Sequence, residues 1–406
     1  MSLSSFLSRA FRGAPSSASP GPPQAKASAA GPLVAFQTPG RAVWTPRDYG
    51  ALARRAYVEN AVAHRCLRLI AESAASVPWL LTRGEIPMER HPLLDVLRRP
   101  NPSQSGPEFL EHLYGHLVGA GNAYVEAAGP PESPPRELYI LRPDRMRLLP
   151  GPDGWPESYE YRVEGRFHRF PMRGLDPPIL HLKTFHPLDD HYGLSALEAA
   201  AVAVDLHGAA AVWNKALLDN AARPSGAIVY SGSDGAGRLT DPQYDRLKEE
   251  LESHHQGPRN AGRPMLLEGG LDWKPMGFSP ADMEFLRSKE NAAREIALAL
   301  GVPPMLLGLP GDNTYANYQE ANRAFHRQTI LPLLHKCASA LTSWLAPRFG
   351  PDLTLTPDLD EVPALSLERD AYWARVAGAD FLSLAEKRSL LGFGPPPPDF
   401  DPPSET

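Results

Sequence analysis

Between Ser195 and Ala222 the chain carries only four charges, Glu198, Asp205, Lys215 and Asp219, in a stretch dominated by alanine. Ser195-Ala196-Leu197-Glu198 has the form of a capping box, and Arg223-Pro224 supplies the stop. As one helix this segment would be roughly 42 Å long. A helix so long, so poor in charge and so rich in small residues is not built to face water. It demands close neighbours along its length. A second long helix is expected to start at Ser279-Pro280, with serine as N-cap, proline at the first helical position and Asp282 in the first turn. Phe285, Lys289, Ala292, Ala293, Ile296 and Leu300 set its period, and Gly301 with Pro303-Pro304 ends it.

Residues 225–278 between the two helices read as a compact α/β insert. Strands are expected at 227–230, 264–268 and 271–274, and a charged helix from Asp241-Pro242 to His254. Before the first long helix the texture is α+β. Helices are expected over 57–76 and 107–118, followed by short strands at 124–125, 138–141, 159–163 and 179–182. After the second, the loop Met305 to Thr314 leads to a further capping box, Asn317-Tyr318-Gln319-Glu320. A helix then runs to about Leu345, with a kink expected at Pro332. A strand at 353–355, a helix over 365–379 and a last capping box at Ser383-Leu384-Ala385-Glu386 complete the ordered part.

The chain has 406 residues, 42% hydrophobic and 22% charged, enough apolar material for a sizeable core. Its formal net charge of −6 offers no basic excess that would advertise nucleic-acid binding. Two distant cysteines, Cys66 and Cys337, exclude a disulfide framework and suit a reducing compartment. No run is expected to reach the eighteen or so apolar residues that span a bilayer. Residues 1–47 contain no acid, and 13–32 are nearly all Pro, Gly, Ala and Ser. A disordered arm is expected there, with an organelle transit peptide as the other reading of Arg9, Arg12, Lys26, Arg41 and Arg47. The prolines 395–398 open a second disordered tail.

Catalytic constellations are weak. No Gly-rich loop is followed by Lys-Ser/Thr, and the glycines at 232–237 sit in a turn with no lysine-bearing helix after them. His181, His186, Asp189, Asp190 and His191 could hold zinc or manganese, which would make the chain a metal-dependent hydrolase. The plainer reading is a strand that ends in a polar turn. His112 and His116 share a helix face without the glutamate of the zinc-protease motif, so packing or surface roles suffice. Ser195 lacks the second glycine of a nucleophile elbow.

Two long helices bracketing a small insert, then a loop and a kinked helix, resemble the portal proteins of tailed phages. The likeness is strongest to the short siphovirus-type family that also includes gene transfer agent portals. The matching residues are spread over 44–395. They include Asn60 and Cys66 with Ile70-Ala71-Glu72, then Arg99-Pro100-Asn101-Pro102 and Gly121-Asn122-Ala123-Tyr124. Ile179-Leu180-His181-Leu182, Gly193-Leu194-Ser195 and 220–226 follow. Gly301-Val302-Pro303-Pro304, Leu307-Gly308, Thr314-Tyr315-Ala316-Asn317 and Leu391-Gly392 complete the order; Ala316 stands where that family usually has serine.

The resemblance implies a non-enzymatic chain with no cofactor, assembled in the host cytoplasm into a ring, usually a dodecamer, at one capsid vertex of the virion. Residues 48–194 would be wing, 195–223 and 279–300 the two-helix stem, and 224–278 the α/β clip. The tunnel-loop region would be 301–317, a returning wing helix and strand 318–364, and a helical crown 365–394. Leu306, Leu307, Gly308, Asp312, Asn313, Thr314 and Tyr315 would face DNA. Tyr244, Arg246, Lys248, Glu249 and Glu252 in the clip would meet the terminase large subunit and later the head-tail adaptor. The major capsid protein would surround the ring, and no membrane is involved. Over 195–222 and 279–300, Lys215, Arg287, Lys289 and Arg294 face seven acids, so no basic stripe is present to grip a sliding duplex.

Overall fold

The computed structural model divides into two units, Met1–Val43 and Trp44–Thr406. It describes residues 44–84, 86–130, 133–172, 174, 176–219, 226–230, 240–254, 271–275, 285–309 and 314–393. The expected arm and C-terminal tail lie outside these, apart from 44–47.

The first helix of the core does not start at Tyr57. Helix α1 (Tyr49–Leu52) runs into a π-helical turn, Ala53–Val58, and α2 (Ala61–Ala75) begins afresh. Asn60 sets that boundary: its Oδ1 accepts from the amides of Val62 and Ala63, both at 3.1 Å. Cys66, Leu67, Ile70 and Ala74 are buried on α2, which packs on α4 (Gly106–Ala120). α3 (Pro92–Arg98) covers one side. Strand β1 (Trp79–Arg83) pairs with β2 (Ile86–Pro87) and, antiparallel, with β11 (Leu353–Pro357), placing Leu81 opposite Leu355. Both leucines enter the core.

α4 ends at Gly121 in the left-handed region (φ 71°) and turns into β3 (Asn122–Ala128). β3 is the middle strand between β4 (Glu137–Leu141) and β8 (Ile179–Lys183). A separate meander of β5 (Met146–Pro150), β6 (Pro156–Val163) and β7 (Arg166–Pro171) closes a smaller core of Tyr124, Leu141, Met146, Tyr159 and Ile179. The expected strands at 124–125, 138–141, 159–163 and 179–182 are present. β1, β5 and β7 were not foreseen; β7, Arg-Phe-His-Arg-Phe-Pro, is an exposed edge strand without apolar alternation.

The two long helices lie together. α5 (Ala196–Asp219) leads towards β9 (Gly226–Tyr230) and α6 (Asp241–His254), and β10 (Leu271–Pro275) leads back to α7 (Phe285–Ala299). β9 and β10 pair antiparallel, with Ile228 opposite Trp273. Leu197, Ala200, Ala203 and Val204 from the start of α5 share one core with Ile296, Ala297 and Leu300 from the end of α7. The helices therefore form a shaft rooted in the main core. The start signals at 279–284, the strand at 264–268 and the stop at 223–224 fall outside the described residues.

α5 departs from expectation twice. Ser195 caps it, accepting from Leu197 N (3.0 Å) and donating to the Gly119 carbonyl (2.5 Å), but Glu198 reaches Arg47 at 3.9 Å instead of closing a capping box. Its segment Ala196–Lys215 is also long and apolar enough to cross a bilayer. Partial burial on the protein's own core accounts for that composition.

α7 ends in a Schellman motif: Val302 N donates to Ala297 O (2.9 Å) and Gly301 N to Leu298 O (3.0 Å), with Gly301 at φ 67°. A 3-10 turn, Pro304–Leu307, precedes α8 (Tyr315–Phe325). Thr314, not an Asn317 capping box, caps α8, and Glu320 pairs with Arg323. At the expected kink a π-helical turn, His326–Ile330, joins α8 to α9 (Leu331–Phe349), where Pro332 can donate no backbone hydrogen bond. α10 (Ser366–Ala377) and α11 (Leu384–Leu390) follow, and here the Ser383–Glu386 capping box is formed.

Candidate functional site: the shaft, its root and the following loop

The shaft is held at its root by polar groups. Asn122, at the start of β3, donates from Nδ2 to the carbonyls of Ala120 (3.0 Å) and Gly193 (3.1 Å). Its Oδ1 accepts from Gly193 N (2.8 Å) and His181 Nε2 (2.9 Å). The amide orientation fixes His181 as the neutral Nε2–H tautomer. Burial, with Lys183 adding to it, pushes His181 down to about 3, and its ring stacks on Tyr124 at 4.3 Å. Gly193 permits the approach: a Cβ there would lie 2.0 Å from the Gly121 carbonyl.

A second network crosses to α5. Asp205, buried in an otherwise uncharged stretch, accepts from Thr45 N (2.9 Å), Thr45 Oγ1 (2.6 Å) and Arg55 Nε (3.3 Å). Arg55 also pairs with Glu59 at 3.0 Å and lies over Gly208, where a Cβ would meet its guanidinium at 2.9 Å. Burial alone would raise the Asp205 carboxyl, but the Thr45 and Arg55 donors outweigh it and hold it below its ordinary value. This clamp straps residues 45–59 across the shaft. The sequence signal was there, since Asp205 is the one charge between 199 and 214.

Val202, Leu206, Ala209 and Trp213 recur at intervals of four, three and four residues on α5, and all are exposed. They form an outward apolar stripe opposite the face that meets the core. Alanine content pointed to neighbours, but which positions face outward became visible only once the buried face was known.

The loop residues divide. Leu306 and Leu307 pack against the main core, while Gly308 and Thr314 are exposed and Tyr315 is 78% exposed. Asp312 and Asn313 lie outside the described residues. In α6, Tyr244, Arg246 and Glu249 are exposed; Lys248 and Glu252 belong to the helix, but their side chains fall outside the description.

The proposed metal ligands do not converge. His181 is committed to Asn122, His186 Nδ1 accepts from Leu188 N (3.0 Å), and Asp189 Oδ1 accepts from His191 N (2.7 Å) and Tyr192 N (3.0 Å). Among the described residues no group of three His, Cys, Asp or Glu side chains is placed to hold a metal. His112 bonds Gln104, and His116 Nδ1 shares a hydrogen bond with Tyr49 OH at 3.0 Å.

Residues 61–392 match the family model for the phage portal protein. The chain belongs to the phage portal family. Its similarity to gene transfer agent structures is closer still. A chain in the neck of the empty GTA particle is 60% identical, with a TM-score of 0.70, covering 88% of this chain and 96% of that one. One in the neck of the native particle with C12 symmetry is 58% identical, with a TM-score of 0.68 and the same coverage. An uncharacterised protein of Rickettsia bellii is 42% identical over 83% of this chain and 87% of its own length. The portal protein of Enterobacteria phage HK97 is 26% identical over 70% of this portal chain and 66% of its own. A 16% identical HK97-family portal from Corynebacterium diphtheriae, with a TM-score of 0.54, shares the fold. This α+β chain is thus a phage-type portal protein.

Proposed function

We propose that copies of this chain close into a dodecameric ring at the unique capsid vertex and conduct double-stranded DNA into and out of the particle. The observation that carries the reading is the outward stripe Val202, Leu206, Ala209 and Trp213 on a shaft whose other face is already buried. An apolar helix face left exposed in one copy asks for a neighbour, and a head-to-tail interface that closes gives a cyclic ring. A copy number of twelve is supported by a 58% identical chain in a particle neck computed with C12 symmetry.

A duplex carries one phosphate charge per about 1.7 Å. A shaft with more acids than bases does not clamp those phosphates, which suits a passage rather than a binding site. Gly308, Thr314 and Tyr315, beside the packed anchors Leu306 and Leu307, face the DNA together with Asp312 and Asn313. Helix α6, through Tyr244, Arg246, Lys248, Glu249 and Glu252, receives the terminase large subunit and then the head-tail adaptor. The major capsid protein surrounds the wing, and the role is structural rather than enzymatic.

Native mass spectrometry tests the ring. Twelve copies of a 44.3 kDa chain give a particle of about 530 kDa. Leu206→Asp places a charge in the stripe and should leave a folded monomer. A wild-type chain that stays monomeric at high concentration and near-neutral pH overturns the proposal.

A further inference from the structure

We infer that the loop of residues 184–192 is an intersubunit knob, which presents Phe185 and Leu188 to a second copy of this chain. The inference rests on the ring proposed above and adds a contact to it. Phe185 is 83% exposed and Leu188 is 91% exposed, the two most exposed large apolar side chains among the described residues before α5. In a mobile loop such residues could fold inward. This loop is pinned along its length.

At its start, Thr184 N donates to the Gly121 carbonyl (2.9 Å) and Thr184 Oγ1 to the Leu194 carbonyl (2.7 Å). Lys183 Nζ donates to the Asp190 carbonyl (2.5 Å), tying the base of the loop across to its far side. His186 Nδ1 accepts from Leu188 N, and Asp189 Oδ1 accepts from the amides of His191 and Tyr192. Tyr192 OH accepts from Leu148 N at 2.9 Å, and the His191 ring meets Trp155 edge-on at 5.9 Å, so the loop is also braced against the β5–β6 hairpin. Four of the five residues that looked like a metal site, His186, Asp189, Asp190 and His191, thus build a braced turn whose apolar tips, Phe185 and Leu188, are exposed, while His181 belongs to the strand before it.

The chemistry selects the occupant. DNA is a poor fit, because Asp189 and Asp190 flank the tip and the one lysine beside it is engaged with a backbone carbonyl. An apolar protein surface is a good one. The loop runs within four residues into α5, whose outward stripe is the face proposed to meet the next copy, so the knob extends the same side-by-side contact towards the wing. A ring made of identical chains also needs two different complementary patches on each, and a projecting knob paired with a receiving surface supplies them.

The test uses full-length chain with Leu188 replaced by the photo-crosslinker p-benzoylphenylalanine. Native mass spectrometry first confirms the rings, which are then irradiated and run under denaturing conditions. Covalent dimers and higher multiples of this chain are expected. Intact rings that give no intersubunit product overturn the knob, as do products formed only with a different protein in assembled particles. Failure of the unsubstituted chain to form rings is the separate failure of the ring proposal, and the knob falls with it. As a second measurement, Phe185→Ser with Leu188→Ser should raise the concentration for half-assembly about tenfold or more while leaving monomer unfolding unchanged. An unchanged assembly midpoint rejects the contact.

Discussion

Asn122 ties four polar groups from three segments together at the foot of the shaft, and three of the four bonds are buried, the one to His181 being part-buried. Asn122→Ala should therefore destabilise the chain by about 2–4 kcal/mol, since it leaves buried partners unsatisfied. Urea unfolding checks this, and an unchanged midpoint would show the network to be idle. His181 and His116 add a pH dependence. Burial lowers His181 from an ordinary 6.5 to about 3 and His116 to about 4. As pH falls below 6.5 the unfolded chain takes up protons that the folded chain refuses, so stability drops from there towards pH 4. His116→Gln with His181→Gln should flatten that part of a thermal-stability profile, and a slope identical to wild type would place the acid sensitivity elsewhere. The sequence drew attention to His181 for its place in a possible metal cluster. Its actual partner, 59 residues earlier, could not be read from spacing, because the pairing of β3 with β8 brings them together.

Helix termini were legible where a local side chain decides them and misread where a distant one competes. Ser383–Glu386 forms its capping box on an exposed turn. At Ser195 the same pattern fails because Arg47 takes Glu198 and the Gly119 carbonyl takes the serine proton. The end of α7 was readable from Gly301 and Pro303-Pro304, whereas the π-helical turns at 53–58 and 326–330 have no simple periodic signature. The second turn has a consequence: Thr329 Oγ1 donates to the Gly301 carbonyl (2.6 Å), tying the turn to the end of α7. The Asp205 clamp ties α5 in the same way, through three hydrogen bonds to Thr45 and Arg55. Asp205→Ala should cost about 2–3 kcal/mol, at the low end for a broken buried pair because Arg55 is partly exposed. Limited proteolysis should then cut near Thr45–Glu59 faster than in wild type, and equal cleavage rates would mean that the clamp does not hold the strap. Its carboxyl is held low, so the contribution is present at neutral pH and is lost as pH falls through the lowered value.

At the scale of the whole chain, element order was the legible quantity. Among the described residues two long helices, a strand–helix–strand segment between them and a broken helix after them follow the order read from the sequence, because glycine stops and apolar period are local signals. Sheet partners and the division between core-facing and outward residues were not legible, since β11 meets β1 across more than 260 positions of sequence. The same division separates two parts of the proposed assembly that can be tested apart. The stripe on α5 is assigned to the proposed ring contact, whereas Tyr244, Arg246 and Glu249 sit on α6, in the insert between the two long helices. If α6 is where the packaging machinery docks, Tyr244→Ala with Arg246→Glu should leave the mass of the ring unchanged, because neither residue lies on the shaft. Particles assembled with that variant should carry at least tenfold less DNA, because losing an aromatic and an arginine anchor removes the residue types that dominate protein–protein contacts. DNA content per particle measures the effect alongside ring mass. Rings of normal mass with full particles would move the docking site off α6, and loss of the rings themselves would place α6 within the subunit interface.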